Sequence, residues 1–294
     1  MLMKQILVIA DLPGSKPKAL AKAKLIADAQ NAKVTVLSFV YEQLKHLPDN
    51  LSASQQKAIQ QSLVEQRQQW LERQIKDQDL NPEQVTCQVI WEKNIASWTE
   101  EFSRKHKHDL IVKTGRRSEG MFYTPTDWHL LRTSQVPVLL VSEKKWKKQH
   151  NVMVALDLGS KLQSKQALNQ QLLSTGIDWV RHFGGELHCV YCLPMSPVLK
   201  DLMGLSGKQM ASDAKAQYMP LIQKMAGDFP LSPENVHIKA GDPDKVIPSV
   251  AADINAGLVT IGTVGRKGLK GKLLGNTAEN ILSLLKTDII ALQP

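Results

Sequence analysis

The sequence predicts an α/β fold built twice in tandem, and three observations carry that prediction. Short β-branched runs alternate with longer helical segments, the pattern of βαβ units around a buried parallel sheet. The apolar run from Gln5 to Ala10, closed by Asp11, returns 146 residues later as Asn151 to Leu156, closed by Asp157. Residues 109–112 match 257–260 at an offset of 148, and 136–141 match 287–292 at an offset of 151, in the same order. A period this long marks a duplicated domain, because solenoid units repeat every 20 to 50 residues or so.

Strands in the first half are expected at 5–10, 34–41, 85–91, 109–113 and 136–141, where apolar and β-branched residues cluster. Helices are expected at 17–31, along the Gln-rich stretch 52–78, and at 96–105. Thr124-Pro125-x-Asp127 reads as one more helix start, since proline's missing N–H costs nothing at the first helical position. The basic, Trp-bearing stretch 143–150, with Lys144, Lys145, Lys147 and Lys148, reads as a solvated boundary between domains 1–145 and 149–294. In the second half the strands are expected at 152–156, 186–192, 236–240, 258–261 and 288–292, and the helices at 163–183, 208–227, 243–255 and 276–286. Each half therefore reads as a five-stranded parallel sheet with helices on both faces.

Hydrophobic residues make up 43% and charged residues 22%, a composition of folded rather than disordered chains. The net charge of +9 admits phosphates, nucleic acid or acidic membrane surfaces as partners. Aromatics are only 5% and do not interleave with basic residues, so a base-stacking platform for nucleic acid is disfavoured. Three cysteines, Cys87, Cys189 and Cys192, suit a reducing compartment, and the cytoplasm is expected. The N-terminal apolar run is too short for a signal peptide or a membrane span.

Of seventeen glycines, only Gly14, Gly115 and Gly120 precede the second half. Five cluster in 260–280, where Gly262, Gly265, Gly268, Gly271 and Gly275 follow a strand and lead to a helix. Glycines there let the backbone come near a ligand and turn amide N–H groups inward. Asn276 can cap the next helix, whose positive end attracts phosphate, and Arg266, Lys267, Lys270 and Lys272 raise the local potential. Asn276-x-x-Glu279 reads equally as a capping box, with the glycines serving turns. Neither a Walker A loop nor Gly-x-Gly-x-x-Gly is present, which disfavours those two nucleotide folds.

Gly262-x2-Gly265-x9-Gly275-Asn276, after a strand in an α/β half, resembles the ATP-binding motif of the universal stress protein family, with Asn where Ser or Thr is usual. The stretch Tyr123 to Arg132, with Gly262 to Arg266 and Leu274 to Glu279, resembles the tandem-domain branch of that family. The resemblance implies two Rossmann-like domains, of the adenine nucleotide alpha hydrolase kind, packed through their last strands as an internal pseudo-dimer. It implies ATP or another adenine nucleotide, with or without Mg2+, in the second half. Asp157 and Val190, after the first and second strands of that half, would then meet the adenine end, next to Ala155 and Leu156. Gly262, Thr263, Gly265, Arg266, Gly275, Asn276 and Thr277 would hold ribose and phosphates. No catalytic residue or metal ligand set is implied, hydrolysis would be slow at most, and further homodimerisation is left open. Roles in surviving stress and DNA damage, and in motility or adhesion, also follow from the resemblance.

The first half departs from the motif. With Thr126 aligned to Thr277, Gly275 becomes Thr124 and Asn276 becomes Pro125, so nucleotide binding is not expected there. Cys189-x-x-Cys192 beside His188 lies on an expected strand, where residues three apart face opposite ways, so no metal site is expected. His106 and His108 read as a solvated helix end. Met195, Met203, Met210, Met219 and Met225 read as helix core, or else as an adaptable groove for an apolar, lipid-like ligand carrying a phosphate.

Overall fold

The computed structural model describes residues 3–44, 52–115, 124–142, 151–193, 207–263 and 276–294, with the side chains of 276 and 277 left aside. The basic stretch 143–150, Met195 and Met203 lie outside these residues. The first half runs β1 (Gln5–Ile9), α1 (Lys18–Gln30), β2 (Lys33–Val40), α2 (Ala53–Asp77), β3 (Val85–Trp91), α3 (Ile95–Lys105), β4 (Leu110–Thr114), α4 (Pro125–Thr133) and β5 (Val138–Val141). The second runs β6 (Val152–Leu156), α5 (Gln163–Phe183), β7 (Leu187–Leu193), α6 (Gly207–Ala226), β8 (Val236–Ala240), α7 (Pro243–Asp253), β9 (Leu258–Gly262), α8 (Asn276–Leu284) and β10 (Asp288–Leu292).

These strands form one sheet in the order β3-β2-β1-β4-β5-β10-β9-β6-β7-β8. Pairing is parallel within each half, as helical crossovers require. β1 shows why its residues form such a strand, since Ile6, Leu7, Val8 and Ile9 are all buried although they alternate between faces. Ile6 and Val8 join a core with α1, α2, α5 and α6, whereas Leu7 and Ile9 join the core on the opposite face with α3, α4, α7 and α8. Cys189 and Cys192 divide between those two cores in the same way. Met219 and Met225 of α6 pack against the first core, partly buried.

The halves meet where β5 and β10 pair antiparallel, with Leu139 opposite Ile290, so the last strands join two sheets into an internal pseudo-dimer. Every residue of both strands is buried. Beside the joint, Lys22 of α1 places its ammonium 2.6 Å from the Asp288 carboxylate, with 5% and 4% of the side chains exposed. The Ser142 amide donates to the same carboxylate at 2.8 Å. Burial lowers the Lys22 pKa, and Asp288 pulls it part of the way back. On the opposite face Arg132 of α4 pairs with Glu279 of α8. The Glu279 carboxylate of α8 thus meets the other half of the chain.

The helix start at Thr124 takes the expected form, with Pro125 at the first position and Thr124 and Asp127 closing a capping box. The solvated reading of His106 and His108 holds for His106 alone. Lys107 adopts φ 54°, the His108 amide donates back to the Ser103 carbonyl, and the His108 ring is carried against Phe102. His108 is therefore buried, and burial lowers its pKa. Among the described residues no helix is long and apolar enough to cross a membrane.

Removing one partner of a buried ion pair leaves an uncompensated charge, typically at a cost of 3 to 5 kcal/mol or so. Asp288→Ala is expected to lose about that much stability in chemical denaturation, whereas the double change Lys22→Met with Asp288→Leu should lose far less. Equal losses would refute the account of the joint.

Candidate functional site

A cavity of ≈ 300 Å³ opens at the carboxyl ends of β6 and β9. β6 leads to β7 on one side and pairs with β9 on the other, so the chain order reverses here, the place where open α/β sheets take ligands. Ala155, Leu156 and Asp157 bring the end of β6 to its wall, and Gly262 brings the end of β9. Tyr191 and Cys192 come from β7, Pro243 and Ile247 from α7, and Ala278 and Ile281 from α8. One face of α5 contributes Lys165, Leu168, Asn169 and Leu172, spaced three and four residues apart as a helical face demands.

Four expected residues thus share one cavity, and two do not. Val190 lies inside β7 rather than after it, within the strand expected at 186–192. Its backbone sits in the ladder between Ala155 and His237, and its side chain is buried in the core beneath α7 and α8. Thr263 is 1% exposed, and its amide and hydroxyl both donate to the Leu292 carbonyl, at 2.7 and 3.2 Å. Gly265, Arg266 and Gly275 lie outside the described residues, while Asn276 and Thr277 open α8.

The polar groups of the cavity are few. Asp157 has its main chain fastened by the Asn169 side chain: its amide donates to Oδ1 at 3.0 Å, and its carbonyl accepts from Nδ2 at 2.9 Å. Its half-exposed carboxylate holds the Lys165 ammonium at 2.7 Å. Tyr191 packs edge-on to Tyr218 at 5.2 Å, and burial, with Tyr218 and Asp157 adding to it, pushes its phenol up to about 12. Burial pushes the Cys192 thiol up to about 12 as well, so it stays neutral and behaves as apolar wall. At Gly262 the room left by the absent side chain belongs to Leu168, because a Cβ there would stand 2.6 Å from its Cδ2, so the glycine also permits close helix packing.

Sequence reasoning missed Lys165, Leu168, Asn169 and Tyr191. The helical spacing of 165, 168, 169 and 172 was a legible signal, although nothing in the spacing says that the face meets Asp157.

The first half keeps a smaller cavity, ≈ 200 Å³, in the matching place, lined by Asp11, Ser38, Lys113, Thr114, Thr124 and Thr126 among others. At the sequence offsets above, Ile261 corresponds to Lys113, Gly262 to Thr114 and Ala278 to Asp127. Two apolar wall residues are thus replaced by an ion pair, with Lys113 2.7 Å from the fully buried Asp127. The Thr114 hydroxyl donates to Asp11 at 3.0 Å, and the same carboxylate oxygen accepts the Ala19 amide at the start of α1. The Asp127 amide, one of the free donors at the start of α4, is taken by the Thr124 hydroxyl.

The universal stress protein family model matches residues 3–142 and again 149–292. The chain is 30% identical to the Universal stress protein E homolog of Haemophilus influenzae, over 100% of this chain and 98% of that protein. It is 27% identical to Universal stress protein E of Escherichia coli K12, over 98% of this chain and 93% of that one. A functionally unknown protein of Pseudomonas aeruginosa PAO1 shares the fold, with a TM-score of 0.72, 23% identity, and coverage of 99% and 93%. A universal stress protein of Archaeoglobus fulgidus shares it at a TM-score of 0.66, with 18% identity and 98% of both chains covered.

Gly262→Ala is expected to overpack α5 against β9 and cost about 1 to 3 kcal/mol in thermal or chemical unfolding. Joined to Leu168→Ala it should cost less than the sum of the single changes, and strict additivity would refute the packing role. Cys192 at pH 8 is expected to alkylate at least about a hundredfold more slowly than a cysteine of the unfolded chain, read by mass spectrometry with and without denaturant.

Proposed function

The chain belongs to the universal stress protein family, and on that footing we propose that its second half, 149–294, binds ATP or another adenine nucleotide in the cavity at β6 and β9. The first half, 1–145, has a structural or regulatory task. One observation carries the reading: the cavity is lined by Gly262, where the glycine segment leaves β9, and by Ala278 in the first turn of α8, the helix that the segment leads to. A glycine-rich segment between a strand end and a helix start has the chemistry to hold a phosphate, through backbone amides and the helix's free N–H groups. The apolar walls from Leu156, Ile247, Ile261 and Ile281 suit a planar base. Arg266 and the neighbouring lysines would add positive potential at the phosphate end.

Mg2+ would arrive with the phosphates rather than on a protein cage, because the described residues hold no group of three metal-ligating side chains. The module acts by binding, in the cytoplasm, and serves survival of stress and DNA damage, with motility or adhesion as further roles.

A second reading has its own support. The same walls are predominantly apolar, so a lipid-like molecule carrying a phosphate would also fit their chemistry. Calorimetry or thermal shift with ATP, AMP and a phospholipid fragment, repeated on Gly265→Asp, separates the two. ATP at a hundred times its Kd should raise stability by about 2.7 kcal/mol, and the substitution should abolish that gain. Binding of the phospholipid fragment without nucleotide would favour the carrier. Salt-sensitive DNA binding that survives the substitution would favour a nucleic-acid protein instead.

A further inference from the structure

Among the described residues that line the cavity, charge is confined to one pair. Among the described lining residues Lys165 is the one cation and Asp157 the one carboxylate, 2.7 Å apart at the rim. Both side chains reach solvent, with 30% and 50% exposed, so neither is locked in place by packing. Their surroundings differ sharply in freedom. Asp157 is anchored through its own main chain by Asn169, whereas the Lys165 ammonium rides on a four-carbon stem that can swing several ångströms without backbone movement.

Lys165 also stands in the first turn of α5, which has no acidic residue and no side-chain cap. A cation is disfavoured at that positive helix end, and only Asp157 offsets it there. A solvent-exposed single-charge pair of this kind is weak, so a more highly charged anion can displace it. At the corresponding cavity of the first half the cation is tied up differently, since Lys113 pairs with the buried Asp127 and donates to the Thr114 carbonyl.

We infer that Lys165 is the side chain that recognises the ligand's phosphate charge, releasing Asp157 and turning to a phosphate oxygen when a nucleotide enters. This rests on the nucleotide reading and deepens it. In that role Lys165 supplies discrimination by charge. Asp157, released, becomes a free acceptor for a hydroxyl or amino group of the same ligand. Affinity should then rise with the number of ligand charges and fall with salt.

Calorimetry on the full chain with ATP, AMP and adenosine tests this. Lys165→Gln is expected to weaken ATP about tenfold or more, the scale of one charge-assisted hydrogen bond, and adenosine less than about twofold. Lys165→Arg should restore most of the ATP affinity, and thermal unfolding should show all variants folded. On the Asp157→Asn background, adding Lys165→Gln should still cost about tenfold for ATP. Equal losses for ATP and adenosine would mean a merely structural lysine. Disappearance of the loss on the Asp157→Asn background would mean that Lys165 only silences Asp157. Either result, or an unchanged ATP affinity, overturns the inference while leaving nucleotide binding intact. A wild-type chain that binds neither ATP nor adenosine overturns the nucleotide reading itself, and this inference with it.

Discussion

Antiparallel pairing of β5 with β10 is the constraint on which the rest of the molecule depends. Each half ends in a strand that is apolar on both sides, and such a strand cannot stand at the edge of a sheet in water. Pairing the two last strands removes both edges at once and fuses the sheets. The helices of both halves then lie in register over a continuous apolar surface, α1 and α5 on one face, α4 and α8 on the other. Polar contacts across the joint are asymmetric: Lys22 with Asp288 on one side, Arg132 with Glu279 on the opposite one. Neither pair is needed to bury the strands. A wrong alignment would strand a buried charge, so these pairs favour one arrangement over its neighbours.

Duplication under this constraint left the two ends of the sheet free to diverge in chemistry while the scaffold stayed common. In the second half, Ile261 and Ala278 line an open apolar cavity with the exposed Lys165–Asp157 pair at its mouth. The corresponding positions of the first half carry Lys113 and Asp127, whose mutual attraction is satisfied inside the protein. Thr114 in place of Gly262 puts a hydroxyl where Leu168 packs in the other half, and that hydroxyl fastens Asp11 and α1. One half keeps its charges available at a surface, and the other consumes them in holding itself together.

The candidate site was legible only in part. Asp157 and Gly262 could be placed at the cavity because each ends a strand, and strand ends follow from apolar runs and the glycines that close them. Val190 could not, because its place at the adenine end came from the resemblance, whereas the strand expected at 186–192 already put it inside the sheet, where its side chain joins the core. Thr263 looked like a loop residue, yet its hydroxyl and amide complete the end of β10. His108 looked like a solvated helix end until a left-handed Lys107 folded it under Phe102.

From the sequence alone came the fold class, the duplication, and the difference in glycine content between halves, because hydrophobic period and residue type are local properties that repeat wherever the chain repeats. Only the tertiary structure decided that α5 lays Lys165 on Asp157, that Asn169 fastens the Asp157 main chain, and that Glu279 meets Arg132 of the other half. Those contacts join residues that are 8, 12 and 147 positions apart. Their partners are chosen by how helices settle on a twisted sheet, and that is information carried by the assembled core rather than by any one segment.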